Sequence, residues 1–107
     1  MEFKNAAAEL VDTYHRQPGA ELLEFARTDA YRQFVAAASA CGFTGPDVET
    51  DRQFALRSPE WVAQAGERDL QRWVHTLIRA DRWNGDLPNA VWMACRSGSM
   101  GKLVERL

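Results

Sequence analysis

Two histidines and two cysteines are the side chains of this chain that could form a nucleophile–base pair or a soft-metal site, and their positions limit both. His15, Cys41, His75 and Cys95 are scattered along the sequence, with neither CxxC nor any other metal-ligand spacing. A zinc site needs four ligands and usually draws them from close pairs. A dyad of Cys41 or Cys95 with His15 or His75 needs only that folding bring a thiol against an imidazole. Ser58 and Ser99 each precede a helical run and read as caps, and no GxSxG-type turn is present. Phosphate-loop, GxGxxG and HExxH patterns are also missing. The carboxylate pairs Glu21/Glu24 and Glu67/Asp69 stand near helix starts, where they favour the helix dipole. The expectation is a chain that is not an enzyme, with no metal and no cofactor.

What remains is binding chemistry, concentrated in ERDLQRWVHTLIRADRW, residues 67–83. On a helix, Leu70, Trp73, Val74, Leu77 and Ile78 share one face. Arg68, Arg72, His75, Arg79 and Arg82 follow i, i+4, i+7, i+11, i+14 and lie within roughly ±40° of one another on the other. Such a stripe has three readings: a solvated face, a surface for an acidic protein partner, or a contact for nucleic-acid phosphates. Trp83 and Trp61, near helix ends, either pack the core edge or join a binding surface, since aromatics beside Arg are favoured at interfaces and also stack on bases. Trp73 and Trp92 fall on apolar faces and read as core.

The overall balance tempers the nucleic-acid reading. The 107 residues carry a formal net charge of −2, whereas phosphate-binding faces usually belong to clearly basic domains. The split along the chain is uneven. Residues 1–50 hold four cations against eight anions, net −4, and residues 51–107 hold nine against seven, net +2. Composition is globular, with 46% hydrophobic and 26% charged residues. No apolar run approaches the ~20 residues of a membrane span. The early acids of MEFKNAAAELVD do not look like a signal peptide, so a cytoplasmic protein with reduced, buried cysteines is expected.

The elements that would carry these residues are all helical. Phe3, Ala7, Leu10, Val11 and Tyr14 recur at helical spacing up to Pro18-Gly19. A second helical stretch begins near Ala20; Thr28-Asp29 could cap a fresh start within it, so residues 20–41 form one helix or two. Its apolar face continues through Tyr31, Phe34, Val35, Ala38 and Cys41 to Gly42. Residues 43–57 are the least regular, with Phe43, Val48, Phe54 and Leu56 available to tack them to the core, and no period of two that would indicate a strand. Ser58-Pro59-Glu60 predicts a helix start, with a capping Ser and a Pro whose missing N–H costs nothing in the first turn. Gly66 ends or interrupts that helix. After helix 67–83, Asn84-Gly85-Asp86 breaks the chain, Leu87-Pro88-Asn89 opens a helix to residue 97, and Gly98 ends it. Ser99 is placed to cap a last helix with Met100, Leu103, Val104 and Leu107. The helix–turn–helix of residues 67–97 resembles a DNA reader only in outline, since LPNAVWMACRSG has one Arg and puts Trp and Met where base-reading side chains belong.

Asp81 breaks the pattern by falling among the apolar positions of its helix. A buried lone carboxylate is costly, so a tie is expected, either an ion pair with Arg96 or Arg106 or bonds to N–H groups at the start of the next helix.

The run Arg79-Ala80-Asp81-Arg82-Trp83-Asn84-Gly85-Asp86, then a short helix and Lys102-Leu103-Val104-Glu105-Arg106-Leu107, resembles a bacterial domain family of unknown function. Its members close with an Arg-x-acid-Arg-aromatic-x-Gly core, a short helix, a Gly-containing turn and a Leu/Arg-rich helix. The resemblance covers about residues 67–107, with Trp83 where Phe is more usual. It implies a setting among bacterial chromosomes, phages and integrative elements. It also implies that Arg79, Asp81, Arg82 and Gly85 serve the corner of the fold. It brings no known chemistry and no functional residues.

The reading is then an all-α domain spanning residues 1–107, a single compact bundle of five to six helices. Its expected role is non-catalytic: a phage or mobile-element protein that docks on a larger host protein complex and modulates or inhibits it. The candidate surface is Arg68, Arg72, His75, Arg79, Arg82 and Trp83. The alternative is a nucleic-acid-binding module using the same stripe.

Overall fold

Alternating apolar and polar positions at helical spacing leave each segment of this chain with one face that must be buried, and helices packed on helices are the result. A computed structural model describes residues 3–16, 25, 27–40, 55–83 and 90–107, without the side chains of residues 82 and 83. Six helices and no strands are present among the described residues: α1 (Phe3–Arg16), α2 (Asp29–Ala40), α3 (Pro59–Gln64), α4 (Glu67–Trp83), α5 (Ala90–Ser97) and α6 (Ser99–Arg106). The chain is an all-α bundle. Its radius of gyration of 12.3 Å is close to the ~13 Å of a folded domain this long. No helix among the described residues is long and apolar enough to cross a membrane.

The helices stop and start where side chains can satisfy their ends. Thr28 Oγ1 accepts from the Tyr31 amide at 3.2 Å, so α2 begins afresh after the turn at residues 27–28. Ser58 Oγ accepts from the Trp61 amide at 3.2 Å and Pro59 occupies the first turn of α3. Gly98 adopts φ 94°, the left-handed region that glycine enters cheaply, and separates α5 from α6. Ser99 was expected to cap α6. It lies inside that helix instead, buried, with its hydroxyl donating to the Arg57 carbonyl at 2.8 Å, because the left-handed turn at Gly98 already reverses the chain. Pro18-Gly19, Gly42, residues 43–54 and the Asn84-Gly85-Asp86 break lie outside the described residues.

Small side chains set the spacing of the core. Ala6, Ala7 and Leu10 of α1 are fully buried, and Ala37 and Ala38 of α2 are buried with them. With no bulk between them α1 and α2 can pack closely, and Phe3 lies against Phe34 with ring centroids 5.4 Å apart. α1 also meets α5 and α6; α3 packs on α6, and α4 packs on α5 and α2. Trp73 is the largest fully buried side chain, as its apolar phase predicts. Trp92 is only half-buried, at the core edge. Leu56, expected to tack its segment to the core, points outward at 59% exposure, while its neighbour Ala55 is buried.

Candidate binding surface

The Arg stripe of α4 does not survive as one surface. Trp73, Val74, His75, Thr76, Leu77 and Ile78 are all buried in succession, so the middle of the helix is enclosed on every side. His75, at the centre of the expected stripe, is 4% exposed. Projection onto a helical wheel assumes that one face stays open, and here neighbouring elements cover both. Arg68 and Arg72 remain exposed at the start of α4, where Arg72 sits 3.8 Å from Asp69 in an i,i+3 pair. Arg79 is half-buried beyond the covered stretch. Arg82 lies in the last turn of α4, as does Trp83; their side chains lie outside the described residues.

Asp81 is buried, as its phase predicts, but its tie differs from the expected Arg pair. The Tyr31 hydroxyl of α2 donates to Oδ2 at 2.5 Å, and the Ala90 amide at the start of α5 donates to Oδ1 at 2.6 Å. The carboxylate thus joins three helices, and the bond to the first turn of the next helix is the second of the two ties anticipated above. Arg106 is occupied elsewhere. It donates to the carbonyls of Val62, Ala63 and Ala65 at 2.9, 3.2 and 2.8 Å and closes the C-terminal end of α3. Arg96 is exposed and lies over the Trp92 ring at 5.2 Å.

Of the side chains that could carry nucleophilic or metal chemistry, Cys95 and His75 are buried. Cys95 is a buried thiol pushed up to about 12, first by burial and second by the neighbouring Asp81 carboxylate. A thiol held protonated in this way is a poor nucleophile at neutral pH. His75 is buried within α4, His15 sits exposed at the end of α1, and Cys41 lies outside the described residues. Among the described residues no group of three or more His, Cys, Asp or Glu is placed to hold a metal ion.

The described surface includes two concavities of interest. One, about 380 Å³, lies between the start of α4 and the end of α6, with Leu70, Val74, Leu103 and Leu107 on its walls and Glu67 and Arg106 beside them. The other, about 310 Å³, lies between residues 55–59 and α5. Leu56 and Met93, two of the three large hydrophobic side chains left exposed among the described residues, both line it, with Ala55, Pro59 and Ala94. A helical-wheel signal for Met93 was present: it lies about 160–200° from Val91 and Cys95, an apolar residue on the outer face of α5. Leu56 gave no such signal, since it precedes a helix start.

The wall formed by residues 55–59 is held from behind. Trp73 Nε1 donates to the Ala55 carbonyl at 3.2 Å, Ser99 Oγ donates to the Arg57 carbonyl at 2.8 Å, and Ser58 caps α3. Trp61 packs on Trp73 with centroids 6.4 Å apart, and the Arg57 guanidinium lies 5.4 Å over the Trp61 ring. Three elements thereby fix one irregular segment. No protein-family model, curated protein or solved structure matches the chain.

Proposed function

We propose that this chain is a non-catalytic protein-binding module that docks on a larger protein and modulates it. The observation that carries this reading is the pair of exposed apolar side chains, Leu56 and Met93, on one preformed concavity bordered by Arg57. Apolar anchors with Arg and aromatic neighbours are what protein interfaces concentrate. A wall already fixed by hydrogen bonds from Trp73 and Ser99 lowers the ordering cost of binding. The structural duties of Asp81, Cys95, Ser58 and Ser99 give further support, because each otherwise chemical side chain has a task in the fold. The setting implied by the resemblance of residues 67–107, a phage or mobile-element protein acting on a host complex, belongs to the same proposal.

The nucleic-acid reading has less support once the stripe is divided. Arg68 and Arg72 alone do not make a phosphate track, and Glu67 and Asp69 share their turn. The test is affinity capture from a lysate of the source organism with and without nuclease, comparing wild type with Leu56→Glu/Met93→Glu. A protein captured by wild type, lost by the double variant and indifferent to nuclease is expected. Capture abolished by nuclease would move the function to nucleic acid, and equal capture by both baits would remove this surface from consideration.

A further inference from the structure

We infer that the concavity between the start of α4 and the end of α6 is a binding site for a small zwitterion with an apolar body, that is, an apolar α-amino acid or a short apolar peptide with both ends free. The ammonium of the ligand faces Glu67 and its carboxylate faces Arg106, while its apolar part lies on Leu70, Val74, Leu103 and Leu107. The inference goes beyond the protein-binding reading and rests on a different part of the surface.

Two opposite charges held apart select the ligand. Glu67 and Arg106 both line this concavity, yet among the described residues they form no ion pair with each other or with any other group. Glu67 opens α4, where the helix dipole favours a carboxylate without engaging it in a side-chain bond. Arg106 is anchored from behind: its Nη1 donates to the carbonyls of Val62, Ala63 and Ala65. Nε and Nη2, the two donors of one guanidinium edge, are left for a ligand, and an edge already fixed in place is a preorganised fork for a carboxylate. An anionic ligand would meet Glu67 and a cationic one would meet Arg106. A zwitterion matches both.

The apolar part of the site is built by side chains the fold already holds. Leu70, Val74 and Leu103 are buried and line it, and Leu107, 41% exposed, adds an outer wall. The Leu107 amide donates to the Leu103 and Val104 carbonyls at 3.2 Å each, which keeps this wall on the end of α6. Gln71, one turn on from Glu67, adds an amide able to donate and to accept. The volume of about 380 Å³ lies within the roughly 300–1,000 Å³ of small-molecule sites, which join apolar walls to a few polar groups that fix orientation. Apolar contact supplies affinity here and the two charges supply selectivity.

The test titrates the intact chain with L-leucine, L-phenylalanine and the dipeptide leucyl-leucine, read by NMR chemical-shift changes. N-acetyl-L-leucine and L-leucinamide, each lacking one of the two charges, are titrated beside them. The variants are Glu67→Gln and Leu107→Ser, both at exposed positions, with melting curves confirming that they are folded. Arg106 is left in place because it closes α3, and leucinamide reads its role instead. The expected result is saturable binding of a zwitterion with a Kd below about 10 mM, and binding about fivefold or more weaker for both capped analogues. Glu67→Gln should weaken the zwitterion several-fold and leave N-acetyl-L-leucine unchanged, and Leu107→Ser should weaken every ligand. Capped analogues that bind as well as L-leucine would overturn the zwitterion. Equal binding to wild type and both variants would overturn the site, and no saturable binding by any of the ligands would overturn the inference as a whole. Each of these results leaves the surface at Leu56 and Met93 to its own experiment.

Discussion

At the scale of single residues, buried polar groups are where this fold is most vulnerable. Asp81→Ala removes the acceptor of the part-buried Tyr31 hydroxyl and of the buried Ala90 amide, and the expected loss is roughly 2–4 kcal/mol, since a buried donor that loses its acceptor costs about 1–3 kcal/mol. Tyr31→Phe should cost about 1 kcal/mol, and the double variant less than the sum, because the two share one bond. Urea titrations of the three variants measure this, and an unchanged midpoint for Asp81→Ala would contradict the three-helix tie. His75 and Arg68 offer a second contrast. Both belong to the same stripe by sequence, yet His75 is buried and Arg68 exposed. His75→Ala should destabilise by roughly 1–3 kcal/mol and Arg68→Ala by less than about 0.5 kcal/mol. Cys95 supplies a pH prediction. Its thiol, raised from 9.0 to about 12, stays protonated in the folded chain while the unfolded chain releases its proton from about pH 9 upward. Stability is therefore unaffected by this group below pH 9 and declines between pH 9 and 12. In the native protein at pH 8, iodoacetamide should leave the Cys95 peptide unmodified by mass spectrometry; in 6 M guanidinium, a concentration on the order of that unfolding most domains, it should be alkylated.

At the scale of elements, short helices depend on their ends. α3 spans six residues, too few to stand without help, and it is held by Ser58 at its start and Arg106 at its close. Ser58→Ala should cost about 1 kcal/mol. Arg106→Ala removes the donor to three carbonyls and should cost a similar amount, about 1–2 kcal/mol. Gly98→Ala forces a side chain into the left-handed region, worth roughly 1–2 kcal/mol. A Cβ built there would lie 3.7 Å from Pro59 Cγ, an ordinary contact, so backbone angle and not crowding sets the penalty. Thermal melts of the three variants check these values. Much at this scale was legible in the sequence: Ser-Pro-Glu marked the start of α3 and Gly98 the α5–α6 junction, while Thr28-Asp29 left one helix or two open until Thr28 was seen to cap α2. The task of Ser99 was not, because a serine at a helix start reads the same whether its hydroxyl turns to its own backbone or to a carbonyl 42 residues away.

At the scale of the molecule, the distribution of surface chemistry sets what the chain can meet. Exposed Arg68 and Arg72 beside Glu67 and Asp69 form a mixed surface. Arg68→Glu/Arg72→Glu should therefore fold normally and keep the partner-binding behaviour lost in Leu56→Glu/Met93→Glu, when the two double variants are compared in the same capture experiment. Loss of capture in the arginine variant would restore the first turns of α4 as the working surface.

The order of apolar and polar residues was enough to determine that this chain is helical and where most of its described helices begin. Those outcomes depend on local periodicity and on side chains within four positions of the backbone groups they satisfy. Burial of the middle of α4, the partners of Asp81 and the outward turn of Leu56 were decided only by tertiary packing. A helix carries two faces in its sequence, but how many neighbours cover it depends on contacts made across the whole chain. The candidate surface belongs to this second class, since Leu56 and Met93 stand 37 residues apart and meet only once the helices have packed.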